Sequence, residues 1–369
     1  MYPELLKIIE GGLKSDSQKV RNYSIKLAQY LEDRGESNVS KKISKLVDST
    51  DTRTAELDSF TAKPFDSDTH VETLDLSVPV QSSEELFFNS FVENEISEFL
   101  QTYAQRDLLM QHGIESNNRL LLYGKPGTGK TSLARFISVQ TNLPLVTARL
   151  DGIVSSLLGS TAKNIRKVFQ YASKQPCILF LDEFDVLAKM RDDQHELGEL
   201  KRVVNSLIQN IDAFDPNSIL IAATNHPMLL DSAVWRRFDT KLELRLPDSS
   251  VREELVNYFS KIMPTDFEKD TKKISKLVQA TDQLTPDAIH TIFNKAAKNC
   301  LLRGNLKLSY AQLILEIYIY KTPTKISEED TAKFMIDNLV SQNDISDNLS
   351  MSLRKVRSVY KEVKNNGSF

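Results

Sequence analysis

The chain has 369 residues, with 47 Lys and Arg against 50 Asp and Glu, for a net charge of −3. That length exceeds one ordinary domain, so two or three folded units are expected, each with its own core. The near-zero balance excludes binding of nucleic acid or anionic lipid by the chain as a whole and leaves such contacts only to a local patch.

Two cysteines, Cys177 and Cys300, stand far apart in apolar surroundings, as reduced buried thiols do, so no disulfide is expected. No apolar run approaches the roughly 18 residues of a membrane span. The start, Met1-Tyr2-Pro3-Glu4, lacks the charged and apolar regions of a signal peptide. The expected compartment is the cytoplasm, with no membrane partner.

Residues 1–49 carry helical periodicity: Leu5, Leu6, Ile8 and Ile9, then Val20, Leu27 and Leu31, then Val39, Ile43, Leu46 and Val47. Ser15 or Asp16 caps a second helix, Gly35 ends it and Ser37 caps a third. This predicts a small helical docking module. Residues 50–81, rich in Asp, Ser and Thr and carrying Pro64 and Pro79, read as a polar linker.

From 82 to 247 helical patterns alternate with five short apolar runs: Leu120–Tyr123, Leu145–Ala148, Ile178–Leu181, Ile219–Ala223 and Leu242–Leu246. Such alternation predicts an α/β unit with a parallel five-stranded sheet flanked by helices. Residues 248–322 then read as an all-helical unit, with Thr285-Pro286-Asp287 as an N-cap followed by proline at the first helical position. Residues 323–369 form a further helical extension.

The chemistry concentrates after the first run. Gly124-Lys125-Pro126-Gly127-Thr128-Gly129-Lys130-Thr131 fits G-x-x-x-x-G-K-[ST], a P-loop, and Ser132 continues it into the next helix. Its glycines turn backbone N–H groups inward around phosphate oxygens, and the following helix presents its positive end to the same anion. Gly124, Pro126, Gly127, Thr128, Gly129, Lys130, Thr131 and Ser132 are the candidate nucleotide-binding residues. Lys130 would meet the β- and γ-phosphates, and Thr131 would offer its hydroxyl to Mg²⁺, a hard cation suited to oxygen. The run Ile178–Leu181 ends in Asp182-Glu183, the pattern of a Walker B element. Asp182 would hold Mg²⁺, and Glu183 would polarise the attacking water. ATP and Mg²⁺ are therefore the expected cofactors.

Downstream, Ala223-Thr224-Asn225 ends a strand in an amide, and Trp235-Arg236-Arg237-Phe238-Asp239 places two arginines in a polar segment. The P-loop, Asp182-Glu183, Asn225 and Arg236-Arg237, in that order and spacing, resemble the AAA+ superfamily over residues 84 to 310. Within it the chain is similar to the branch containing katanin, spastin and the ESCRT-disassembling ATPases. The resemblance implies a P-loop NTPase sheet followed by an AAA+ lid. It makes Asn225 the sensor-1 residue and Arg236 and Arg237 arginine fingers that complete a neighbouring subunit's site. A finger supplied in trans requires a homo-oligomer, a hexamer by the family pattern, so hydrolysis should depend on assembly. Ile211-Asp212-Ala213-Phe214 resembles the intersubunit signalling segment of such rings; a plain helix end with an aromatic plug is the alternative.

Two positions depart from the family. In Ser155-Ser156-Leu157-Leu158-Gly159-Ser160, which resembles the first pore loop, Leu157 replaces the usual aromatic, which cannot then stack on a threaded chain. Thr285-Pro286-Asp287 holds nothing cationic where many AAA+ proteins outside this branch carry a sensor-2 arginine. The five histidines, His70, His112, His195, His226 and His290, form no H-E-x-x-H, and no G-x-S-x-G occurs, so no built-in protease is expected.

With Glu196-Leu197-Gly198-Glu199-Leu200-Lys201-Arg202-Val203-Val204-Asn205, the whole chain resembles small bacterial AAA ATPases encoded beside a subtilisin-like serine protease in two-gene anti-phage defence systems. That likeness implies a protein partner or substrate, a subtilisin-like protease among them. At the C-terminus Ile345, Leu349, Met351, Ser352 and Val356 fall at helix-turn-helix spacing, with Ser350 in place of the usual turn glycine. Arg354, Lys355, Arg357, Lys361 and Lys364 face a single nearby acid, Glu362. Either these helices contact DNA or they form a bundle that closes the lid.

Overall fold

In the computed structural model the five apolar runs become five parallel strands, which six-stranded pairing extends at one edge. The structure describes residues 74–79, 85–114, 117–150, 158–186, 197–323 and 327–366, and scattered positions between 7 and 43 that lie in helix. The pore-loop positions Ser155 to Leu157, His70, His195 and Glu196 fall outside these residues.

The strands are β1 (Leu74–Ser77), β2 (Arg119–Tyr123), β3 (Leu145–Arg149), β4 (Ile178–Asp182), β5 (Ile219–Thr224) and β6 (Thr240–Glu243). Their spatial order is β1-β3-β4-β5-β2-β6. Only β1 runs antiparallel, pairing Leu74 with Ala148 and Ser77 with Leu145. This corrects the expectation of five strands, and it places a strand inside the stretch read as polar linker. Leu74-Asp75-Leu76-Ser77 alternates for only four residues, too short a period-2 signal to stand out beside its Asp- and Thr-rich neighbours.

Central strands are buried on both faces, which is why β4 and β5 read as continuous apolar runs. Alternation then divides their side chains. Leu121, Leu179, Leu181, Leu220 and Ala222 face α4 (Leu158–Ala172) and α5 (Leu197–Asp212), packing on Ile165, Phe169, Val203, Leu207 and Ile211. Leu120, Leu122, Phe180, Ile221 and Ala223 face α1 (Ser90–Ala104) and α3 (Lys130–Thr141), packing on Ile96, Phe99, Leu133 and Ile137. The short helices α2 (Arg106–Gln111) and α6 (Ser232–Trp235) bridge α1 to β2 and β5 to β6.

Seven helices follow: α7 (Ser249–Ser260), α8 (Thr271–Ala280), α9 (Pro286–Leu302), α10 (Tyr310–Lys321), α11 (Glu328–Asp337), α12 (Gln342–Leu349) and α13 (Leu353–Asn366). One apolar cluster runs through them from Val251 to Val359, so the segment read as a separate extension from 323 shares its core with the lid. Helix α10 lies at the centre. Nine successive residues, Tyr310 to Tyr318, are buried, including Gln312 and Glu316. Glu316 Oε1 accepts from Asn299 Nδ2 at 2.8 Å and Gln312 Nε2 at 2.9 Å, and Lys295 Nζ lies 2.8 Å from Oε2. The buried carboxylate is thus paired, as its burial requires.

Candidate active site

Strand order sets the site. The carboxyl ends of β2, β5 and β4 lie side by side, and in an open parallel sheet ligands bind beyond those ends. The P-loop leaves β2 with Gly124 N–H donating to Thr224 O at 3.3 Å. A Cβ on Gly124, at φ 148°, would stand 2.2 Å from Leu244 O. At Gly127, φ 77°, it would stand 2.9 Å from Thr285 Oγ1. Only glycine fits either place, because sterics and left-handed backbone act together.

Helix α3 begins after Gly129 with no side-chain cap, so its first-turn N–H groups remain available to an anion. Lys130 Nζ donates to Gly124 O at 2.8 Å and Lys125 O at 2.9 Å, folding back over the loop that a phosphate would fill. Burial pushes its ammonium pKa down, while Asp182 and Asp185 pull it back up. Thr128 Oγ1 donates to Lys125 O at 2.9 Å and braces the turn.

Thr131 Oγ1 donates to Asp182 Oδ2 at 3.4 Å, bringing together the two expected Mg²⁺ ligands. Two hard oxygens beside a phosphate cradle fit Mg²⁺, which takes its remaining ligands from phosphate and water. Among the described residues no group of three or more His, Cys, Asp or Glu is arranged to hold a metal by itself. Asp182 Oδ1 accepts from the Glu183 N–H at 2.9 Å. Glu183 sits at φ 55°, strained for a residue with a side chain, and is 40% exposed with Oε1 3.8 Å from Arg149 Nη2.

Asn225 ends β5. Its N–H and Thr224 Oγ1 both donate to Asp185 Oδ1, each at 3.3 Å, and Asp185 is buried. The Asn225 side-chain oxygen is buried with no hydrogen-bond partner, a polar group left for something the chain does not supply. The paired arginines have different surroundings. Arg237 forks onto Asp212, Nε to Oδ1 and Nη2 to Oδ2 at 3.3 Å each, and its Nη1 donates to Ala233 O at 3.2 Å. Arg119 reaches the same carboxylate at 3.7 Å. Arg236 is exposed. Thus the P-loop, Asp182, Glu183 and Asn225 converge, whereas both arginines lie apart from them within one chain.

Sequence reasoning missed two groups, Asp185 and Arg149, and singled out Asp212 only within the Ile211–Phe214 segment. Asp185 follows Asp182-Glu183-Phe184 and was detectable only as another acid in that run. Arg149 and Asp212 pair across elements, at the ends of β3 and α5, and no local pattern announces those pairings. A small recess beside the P-loop, where the lid meets the sheet domain, is lined by Phe88, Leu246 and Pro286 together with the polar Asn89, Thr128 and Asp248. Two of the described histidines make ordinary polar ring contacts: His112 Nδ1 with Leu108 O at 2.9 Å, His290 Nε2 with Asn294 Nδ2 at 2.8 Å.

Residues 120–246 match the family model described as ATPase family associated with various cellular activities (AAA). The chain is 45% identical over 166 residues to an uncharacterized AAA family ATPase, y4kL, of Sinorhizobium fredii, covering 45% of this chain and 50% of that protein. It is 32% identical over 215 residues to a proteasome-activating nucleotidase of Saccharolobus solfataricus, covering 56% and 54%. A putative 26S proteasome regulatory subunit homolog of Methanocaldococcus jannaschii is 35% identical over 157 residues, 42% of each chain. The chain spans about half the length of the curated relatives it matches.

Proposed function

With an AAA domain over residues 120–246 as the premise, we propose that the protein hydrolyses ATP at subunit interfaces and uses the cycle to remodel or unfold a partner protein. One observation carries this reading: Lys130, Thr131, Asp182, Glu183 and Asn225 meet at three adjacent strand ends, while Arg236 stands exposed outside them. Among the described residues the site has a cradle, candidate metal ligands and a candidate base, and its second cation after Lys130, Arg149, is paired with Glu183, so the cation that meets the transition state has to come from elsewhere. A second copy supplies it.

In this scheme the P-loop N–H groups and Lys130 take the β- and γ-phosphates, and the recess at Phe88 and Pro286 takes the base. Lys130 exchanges its two carbonyl partners for phosphate oxygens, which favours its charged form. Thr131 and Asp182 would hold Mg²⁺, which would supply charge neutralisation at the phosphate oxygens. Glu183 leaves Arg149 and accepts the proton of the attacking water, which Asn225 orients from its seat on Asp185. Arg236 of the neighbour meets the charge that develops on the γ-phosphate. The assembly is a homo-hexamer, by resemblance to the katanin and spastin branch. Residues 1–49 serve as its docking module. The partner is a subtilisin-like protease acting with it in anti-phage defence, a reading that rests on the likeness through Glu196 to Asn205. Co-purification from a host carrying the neighbouring gene tests it, and recovery of no protease counts against it.

The test of the interface site is the steady-state ATPase rate against protein concentration for wild type, Glu183→Gln and Arg236→Ala. A rate per subunit that rises with concentration and collapses in both variants, with ATP binding retained, is expected. A flat rate indifferent to Arg236 would remove the trans site.

A further inference from the structure

The last three helices form a unit that the ATP site does not use. Helix α12 has eight residues and ends at Ser350, which takes up φ 53°. Met351 and Ser352 complete the turn, and α13 follows for 14 residues. A serine in left-handed backbone is strained. Two bonds hold it there: Met351 N–H donates to Ser346 O at 3.1 Å, and Ser346 Oγ donates to Met351 O at 2.6 Å. The glycine missing from the turn is thus replaced by a side-chain clamp. Ile345, Met351, Val356 and Val359 are all buried, at the positions where a helix-turn-helix fixes its two helices against a third, here α11.

The outward side of α13 is charged in one sense. At 3.6 residues per turn, Arg354, Arg357, Lys361 and Lys364 fall within a stripe about 80° wide, and all four are exposed. Lys355 lies off the stripe and is already neutralised by Glu328 and Glu329 at 3.4 and 3.8 Å. Glu362 also lies off it, on the same side of the helix as Lys355 and two turns further on. Leu353, 38% exposed at the first helical position, sits at the stripe's edge as apolar surface.

We infer that α11–α13 is a helix-turn-helix that binds duplex DNA, with α13 in the major groove. Arg354 and Arg357, near the start of α13, face base edges. Lys361 and Lys364, further along, face phosphates, and Leu353 covers a thymine methyl. The exposed acids Asp344 and Asp347 on α12 oppose the backbone, so four cations carry the affinity. The chain's neutral balance is compatible with this, because the positive charge is local. The DNA-binding unit would bring the ATPase to its place of action independently of the nucleotide site.

The test is fluorescence anisotropy of a labelled duplex of mixed sequence, titrated with the full chain and with Arg354→Glu/Arg357→Glu. Circular dichroism and basal ATPase rate report that the variant is folded. Two phosphate contacts, from Lys361 and Lys364, predict a fall in affinity of roughly tenfold between 50 and 200 mM salt, and the double variant should lose at least about tenfold at the lower salt, one discriminating contact's worth. No binding at low salt, or binding that the double variant retains, would overturn the inference. So would poly-glutamate that competes as well as DNA of equal charge, which would assign the stripe to an acidic protein.

Discussion

Arg236 and Arg237 are adjacent in sequence and unlike in structure. Arg237 is committed to Asp212 and to the Ala233 carbonyl, so reaching a neighbour's γ-phosphate requires it to give up a forked pair. Arg236 gives up nothing. Arg236→Ala should therefore lower kcat by about 10³ or more, the scale of a lost finger. Arg237→Ala and Asp212→Asn should give smaller losses that do not add in the double variant. Their pair is partly exposed and contributes under about 1 kcal/mol to folding. A kcat for Arg237→Ala as low as that of Arg236→Ala, with Asp212→Asn silent, would assign the reaching role to Arg237. Cys177 offers a pH test. Burial pushes its thiol up to about 12, so at pH 8 roughly one molecule in 10⁴ carries the thiolate that alkylation needs. Intact-mass analysis after iodoacetamide at that pH should show no adduct at Cys177 in the folded protein. The sign for stability follows. The unfolded chain ionises first, so this thiol's contribution is complete below about pH 8.5 and is lost as pH rises toward 12. Legibility at this scale tracked distance along the chain. The P-loop and Asp182-Glu183 are contiguous and were readable, whereas Asp185, Arg149 and Asp212 act through partners 34 to 40 or 25 residues away or more.

At the scale of elements, the N-terminus of α9 is shared between lid and P-loop. Thr285 Oγ1 accepts from Ala288 N–H at 3.2 Å, as the Thr-Pro-Asp pattern predicts, and Asp287 N–H donates to Gly127 O at 3.2 Å. At this position the chain presents a cap to the loop and nothing cationic. Thr285→Ala should cost about 1 kcal/mol of stability, a shift of roughly 2–4 °C in melting temperature for a unit of this size. Gly127→Ala should instead abolish nucleotide binding, since φ 77° and the nearby Thr285 hydroxyl both oppose a methyl group. Isothermal titration with ATP in the two variants separates the effects; equal loss in both would mean the cap itself contacts nucleotide. The start of α9 was legible because its cap is written locally, whereas Ser15, Asp16, Gly35 and Ser37 lie outside the described residues. Strand β1 was not, because four alternating residues gain meaning only from the β3 edge they pair with.

For the molecule as a whole, the parallel sheet and the helical lid followed from the switch between apolar runs and helical periods. The join at 323 did not, because nothing local marks Ala332, Met335, Ile345 and Val356 as filling the same cluster as Leu313 and Ile317. Met335, Ile345 and Val356 are each worth about 1.5–3 kcal/mol when buried. A chain ending at residue 322 should therefore lose its folded lid, seen as low soluble yield and a melting transition lost or displaced by more than 10 °C. An unchanged melt would make the last helices an independent unit. The edge strand has a mechanical consequence. Leu74 pairs with Ala148, beside Arg149, whose own sheet partner is Asp182. The chain arriving from residue 73 thus enters at the rim where Glu183 sits, two strands away. Tension applied at Leu74 along the strand axis loads the β1–β3 hydrogen bonds together, in shear, rather than unzipping them one by one. Any load applied at Leu74 is delivered to the sheet two strands from Glu183, the proposed base.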